Sequence, residues 1–340
     1  MITKKIMYHE PFDARLDEAQ LEELQDNEVR CRALKSLIST GSELISFRRQ
    51  FDPSMHRCSE LGHPQRVGYS MAGEVIQTGA GVKDYKVGDK VYAHVSHQSL
   101  FNVPEGIRLF KMPEYLTPDE ICFLTVLKAG LFAAMKANIK ITDTIVVAGL
   151  GLYGIASLQF AHLFGASRII AIDPVKARAE RALQFGATHV ICDNARDARD
   201  QVLAINGGRL ADAGIDATAS AQGLAQVSML VRNGGSVSLI ADPANLESQC
   251  PGTNMLRGYL TIHGIFIDMM EEIPNAFYPA QLQDVHRALC ELLRDRRIHV
   301  KDMITDYVSP ADPTAVYQKL YDNRFGSLGV LYDWSLLEGK

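Results

Sequence analysis

The stretch TIVVAGLGLYGIASLQFAHLFGA, residues 144–166, decides the fold. An apolar, β-branched run (144–148) leads straight into Gly149-x-Gly151-x-x-Gly154, and the glycines open a second apolar run whose Ile155, Leu158, Ala161 and His162 recur at helical spacing. Glycines placed so allow a tight strand-to-helix turn, close backbone approach to a pyrophosphate, and close packing of helix on strand. The free amides of the helix start, at Leu152 and Tyr153, then face the phosphates. The next apolar run, RIIAI (168–172), ends at Asp173, 24 positions after Gly149. A carboxylate there accepts bonds from both ribose hydroxyls and repels a 2′-phosphate, which selects NAD(H) over NADP(H). Arg178, five residues on, and Ser220, after a later strand, complete the expected cofactor set.

Working outward, further strands are read at HVI (189–191), GIDATA (214–219), SVSLIA (236–241) and TIHGIFI (261–267), alternating with helix-length stretches. Six strands with intervening helices predict a doubly wound parallel sheet of Rossmann type, with helices on both faces. Residues 1 to about 125 differ: short apolar segments at 29–38, 68–78 and 90–95 are separated by turn residues and predict a β-rich region. After Asp268 comes an amphipathic helix through Leu282, Val285, Leu289, Leu292 and Leu293, then strands at 303–308 and 328–332. This tail resembles neither block and is expected to return to the first domain.

Composition excludes several classes of function. With 47% apolar and 22% charged residues the chain reads as globular, and 340 residues allow two domains. A net charge of −5 and basic stretches no longer than Arg48-Arg49 and Arg294-Asp295-Arg296-Arg297 argue against nucleic-acid binding. No uncharged apolar run approaches the ~18 residues of a membrane helix, and the first residues, MITKKIMYHEPFDARL, lack a signal-peptide core, so a cytoplasmic protein without a membrane partner is expected. Six dispersed cysteines without a CxxC fit reduced thiols.

Five segments together resemble the medium-chain dehydrogenase/reductase, or alcohol dehydrogenase, superfamily: STGSEL (39–44), GYSMAGEVIQTGAGVKDYKVGDKVYA (68–93), KAGLFAAMKA (128–137), VVAGLGLYG (146–154) and AIDPVKARAERALQFGATHVI (171–191). The resemblance implies a GroES-like catalytic domain from residues 1–126 and 267–340, a Rossmann NAD(H)-binding domain from 127–266, and a catalytic cleft between them. It also implies a homodimer or homotetramer, paired through the last Rossmann strand. Zinc-using members carry a cysteine in a G-x-C-x-S-D neighbourhood, a G-H-E motif and a later cysteine or acid. Here those places read Thr40, Gly68-Tyr69-Ser70 and the neighbourhood of Thr125. Hydroxyls do not replace thiolate and imidazole on zinc, so no metal is expected. The rival metal reading is His56, Cys58 and His63, three donors within eight residues at a spacing matching no common zinc framework.

Alcohol oxidation without zinc needs another proton acceptor. Four residues are candidates: Tyr69 at the histidine's place, Lys128 at the head of KAGLFAA, able to lower a nearby phenol's pKa, His97 as an imidazole base, and Glu43 at the place of the motif aspartate. The tail from 271 is similar to bacterial sugar, cyclitol and glycoside 3-dehydrogenases, which implies a polyhydroxylated substrate. The expected function is zinc-independent, NAD(H)-dependent oxidation of a secondary hydroxyl of a sugar, glycoside or cyclitol, or reduction of the matching ketone. Two alternatives stay open: reduction of quinones or activated double bonds, and a non-catalytic NAD(H) sensor or structural protein.

Overall fold

The computed structural model describes residues 1–49, 64–106, 108–242, 251–266, 281–323 and 325–337. In chain order it opens with β1 (Ile2–Glu10) and β2 (Asp13–Gln20), a hairpin, followed by β3 (Glu28–Ile38) and a short helix α1 (Ser42–Arg48). Then come β4 (Gln65–Arg66), β5 (Met71–Thr78), β6 (Lys90–Ala93), β7 (Leu100–Pro104), β8 (Leu109–Lys111), α2 (Pro118–Ile121) and α3 (Leu124–Lys136). The alternating β/α run follows: β9 (Thr144–Ala148), α4 (Leu152–Leu163), β10 (Arg168–Ile172), α5 (Lys176–Arg181), β11 (His189–Ile191), α6 (Arg199–Ile205), β12 (Ala211–Asp216), α7 (Gly223–Ser228), β13 (Val231–Leu239), α8 (Gly252–Gly258) and β14 (Thr261–Gly264). The tail supplies α9 (Leu282–Arg294), β15 (Ile304–Val308), α10 (Pro313–Asp322) and β16 (Gly329–Asp333).

The described residues divide into two compact units, one from 1–49, 64–125 and 281–337, the other from 126–266. In the second, the parallel sheet runs β11-β10-β9-β12-β13-β14. This is the doubly wound order, in which the first strand sits beside the point where the winding reverses. Its strands are apolar on both faces because helices cover both; Val146, Ile170, Ile172 and Val237 are buried with Val202, Leu224 and Val227 from the helices. Several strand ends differ from the sequence reading, those of β12 and β14 among them. β12 stops at Asp216 rather than 219, because the Asp216 carboxylate accepts from the Thr218 amide and hydroxyl and turns the chain. The described part of the last strand, β14, ends at Gly264.

The first unit holds a sheet in the order β15-β16-β3-β5-β6-β8, with β7 also on β3, and a small sheet β2-β1-β4. Strand β16 pairs antiparallel with β3 over Val330↔Ile38 to Asp333↔Lys35, so the end of the chain lies beside its beginning. The β1–β2 hairpin, absent from the sequence reading, alternates charged and apolar residues, and its Ile6, Tyr8 and Ala14 enter the core with Phe47, Phe101, Tyr317 and Trp334. Among the described residues no helix is long and apolar enough to cross a membrane.

Candidate active site

At the carboxyl end of β9 the chain turns through Gly149, whose φ of +83° is a left-handed conformation that glycine adopts without strain. A Cβ on Gly154 would stand 1.8 Å from the Gly149 carbonyl oxygen, which fixes how tightly α4 packs on the turn. Gly151, by contrast, faces open space: a Cβ there would meet nothing within 4 Å. Gly151 also caps α4 without a side-chain bond, and the first turn of that helix is where an anion is favoured.

Asp173 sits just past β10 and is 4% exposed. One carboxylate oxygen accepts from the Leu150 amide at 2.9 Å and the other from the Val175 amide at 2.9 Å. The side chain thus ties the glycine turn to the start of α5, and each oxygen retains a lone pair for a ribose hydroxyl. Arg178 lies in the first turn of α5, its amide on the Val175 carbonyl. Ser220 is exposed in the bend after β12, with its amide on the Thr218 hydroxyl and its carbonyl accepting from Gly223. Glycine turn, carboxylate and bend all occupy carboxyl ends of neighbouring parallel strands, the place where open α/β sheets bind nucleotides. These residues fit a dinucleotide, with the pyrophosphate at Gly151 and a ribose at Asp173.

In the first unit, residues 39–43 join β3 to α1. The Ser42 hydroxyl donates to Ser39 Oγ at 2.9 Å and lies 3.5 Å from the Tyr69 hydroxyl. Tyr69 is half-buried, with its ring stacked on His94 at 5.9 Å. Ser70 donates to the Cys122 carbonyl at 2.6 Å, and Thr125 Oγ1 lies 2.5 Å from the Tyr92 hydroxyl. The places that hold zinc in zinc-using relatives of the resemblance are therefore neutral hydroxyls, two of them engaged with neighbours, and this donor set does not fit zinc. Among the described residues no three His, Cys, Asp or Glu side chains cluster to hold a metal, and His56, Cys58 and His63 lie outside the described residues.

Glu43 and His97 come together in the core. His97, a candidate imidazole base in the sequence reading, is fully buried, because its strand-to-strand segment bonds Ile6 and Val67 backbones on either side. Its Nδ1 is 2.8 Å from Ser36 Oγ and its Nε2 is 3.3 Å from Glu43 Oε2. Glu43 also accepts from the Ser39 amide at 2.8 Å and from the Tyr317 hydroxyl at 2.6 Å, while the Trp334 indole donates to Ser36 at 3.0 Å. Burial and the Glu43 charge hold the Tyr317 hydroxyl well above the usual phenol range, so it stays a donor. The sequence reading missed Ser36, Tyr317 and Trp334; the one visible signal was that the chain's single tryptophan falls in its last strand-bearing segment. Lys128 is fully buried on α3 and belongs to the other unit from Tyr69, so their pairing remains a proposal.

Residues 153–280 match the family described as zinc-binding dehydrogenase. The D-guloside 3-dehydrogenase of Escherichia coli K12 is 26% identical over 341 residues, covering 94% of this chain and 96% of that one. Both matches support the resemblance to the medium-chain dehydrogenase/reductase superfamily. Among solved structures, an E. coli oxidoreductase/dehydrogenase of unknown specificity superposes with a TM-score of 0.82 at 21% identity, covering 98% of this chain and 99% of that one. The E. coli galactitol-1-phosphate dehydrogenase gives 0.80 at 18% identity, covering 97% and 99%. At those identities the likeness is one of fold: a parallel Rossmann-like sheet together with a strand-rich sheet.

Proposed function

We propose that the protein is a zinc-independent, NAD(H)-dependent oxidoreductase that oxidises a secondary hydroxyl of a sugar, glycoside or cyclitol, or reduces the matching ketone. The observation that carries this reading is the end-to-end likeness to a relative named for 3-oxidation of a glycoside, 94% of this chain against 96% of that one. Asp173 supports NAD over NADP, since a 2′-phosphate would meet a carboxylate already buried and fixed by two amides. A bound nicotinamide would supply the hydride acceptor.

The chain's own residues then have to hold the substrate hydroxyl and take its proton. Tyr69, half-buried and beside Ser42, is the proposed proton acceptor, and Lys128 is proposed to assist by lowering the phenol's pKa. Glu43 and His97 act at one remove: buried as they are, they fix residues 39–43 and so place Ser42 against Tyr69. Polar groups left unpaired by a wrong isomer would give the selectivity.

The test is NADH formation from NAD with a panel of sugars, glycosides and cyclitols, before and after exhaustive chelation. Turnover that survives chelation is expected. Turnover abolished by chelation and restored by zinc would overturn zinc independence, and silence across the panel would move the reading to double-bond reduction or to an NAD(H) sensor.

A further inference from the structure

A cavity of about 470 Å³ opens in the first unit where α1 meets the end of α10. Its wall includes Thr40, Arg48, Tyr321, Asp322, Asn323 and Phe325. It is a built feature rather than a gap between loose ends: Phe47 packs on Tyr317 at 5.4 Å, and Phe12 stands edge-on to both Phe47 and Tyr321 at 5.4 and 5.2 Å, locking the two helices together. The Nε of Arg48 is shielded from solvent and meets no acceptor among the described residues. Arg48 as a whole is half-buried and lines the cavity, so its guanidinium brings N–H donors to a ligand there.

The other walls decide what that ligand is. Asp322 is exposed, and its Oδ1 accepts only from Gln318 at 2.9 Å, so the carboxylate has acceptor sites to spare. A cation and a carboxylate on one cavity balance each other and disfavour a purely anionic guest. Tyr321 is 38% and Phe325 55% exposed, which offers aromatic surface against which the C–H face of a sugar ring can lie. Guanidinium and amide donors, carboxylate and hydroxyl acceptors, and flat aromatic surface in one cleft make the chemistry of a neutral polyol.

We propose that this cavity is a sugar-binding subsite that holds the non-reacting ring of a two-ring glycoside, with Arg48 and Asp322 bonding its hydroxyls. The proposal rests on the sugar-dehydrogenase reading above and narrows it from polyols in general to glycosides. Thr40 supplies the link, since it lines the cavity and begins the segment that places Ser42 beside Tyr69.

The test is saturation-transfer NMR on the full-length protein with NADH present, using a panel of disaccharides and the matching methyl glycosides, for wild type, Arg48→Ala and Asp322→Ala. Wild type is expected to transfer saturation to both rings of at least one disaccharide. Each variant should weaken that disaccharide about tenfold or more while leaving methyl glycoside and NADH binding unchanged. Equal sugar affinity in wild type and both variants overturns the subsite, as does a loss that falls on NADH instead, or a wild type that contacts no sugar of the panel. The two readings fail separately. Disaccharide binding that depends on Arg48 without any oxidation sinks the dehydrogenase reading alone; oxidation with unchanged KM in both variants sinks the subsite alone.

Discussion

At the scale of single residues, Asp173 ties the glycine turn to α5 and is proposed to hold a ribose, two roles whose failures differ. Asp173→Asn places an amide NH₂ against the Leu150 or Val175 N–H, which is expected to cost about 2 kcal/mol of stability. It should also raise the KM for NAD and narrow the preference for NAD over NADP at least tenfold. Steady-state kinetics with both cofactors check this; a lower melting temperature with an unchanged NAD:NADP ratio would leave Asp173 as a structural tie only. Asp216 bears on pH. Burial, the largest influence, raises its carboxyl above the ordinary value, against the lowering bonds from Thr218. The native chain thus keeps a proton that the unfolded chain has released, and this residue's contribution to stability, full below about pH 4, is lost as pH rises through the raised value. Asp216→Asn keeps an oxygen for both Thr218 donors. It should flatten that decline in urea unfolding measured across the range, and a wild-type slope in the variant would refute the assignment. How far such residues were legible follows from how local their roles are. Asp173 stood out because strand, glycine turn and acid lie within 30 positions of each other. The meeting of Ser36, Glu43, His97, Tyr317 and Trp334 did not, because it depends on sheet pairings that join positions nearly 300 apart.

At the scale of elements, the strand–turn–helix from β9 to α4 separates what the fold needs from what a ligand needs. Gly154→Ala drives a methyl into the Gly149 carbonyl, so the turn must open and the melting temperature should fall by several degrees with cofactor affinity. Gly151→Ala adds a methyl that touches nothing, at a φ of −77° that alanine accepts. It should melt within about 2 °C of wild type and still bind NAD at least tenfold more weakly, as read by calorimetric titration. Equal losses of stability in the two variants would contradict this division. The repeating strand–helix pattern was readable throughout this region because each period is short and apolar. The β1–β2 hairpin was not, since lysines and acids fill its solvent-facing positions and only Ile6, Tyr8 and Ala14 mark its inner face. The cavity between α1 and α10 was equally invisible, as its walls come from opposite ends of the chain.

At the scale of the whole molecule, β14 ends the parallel sheet, and beside it Leu256 and Tyr259 are 79% and 78% exposed, with Phe266 also exposed. Among the described residues no further strand pairs with this edge; an edge flanked by large apolar side chains is a pairing surface, and we propose that it meets a second copy of the chain across a two-fold axis. Gel filtration with light scattering should give a dimer or a multiple of it, and Leu256→Glu with Tyr259→Glu should give monomers of unchanged fold. A wild-type monomer at micromolar concentration would remove the assignment.

The partnership of β16 with β3 sets an order of events during synthesis. The described residues of the Rossmann-type unit all fall between 126 and 266, and every strand of its sheet has been made before the tail begins. The first unit has the Lys35–Ile38 half of β3 waiting for β16, which arrives about 300 residues later, and Glu43 waiting for the Tyr317 hydroxyl. Of the two units, the one whose strands are begun earlier is thus the one that finishes later, and a ribosome stalled before residue 313 would carry a completed parallel sheet and an unfinished first unit. Such a nascent chain would have the means to bind a cofactor before it had the means to use one.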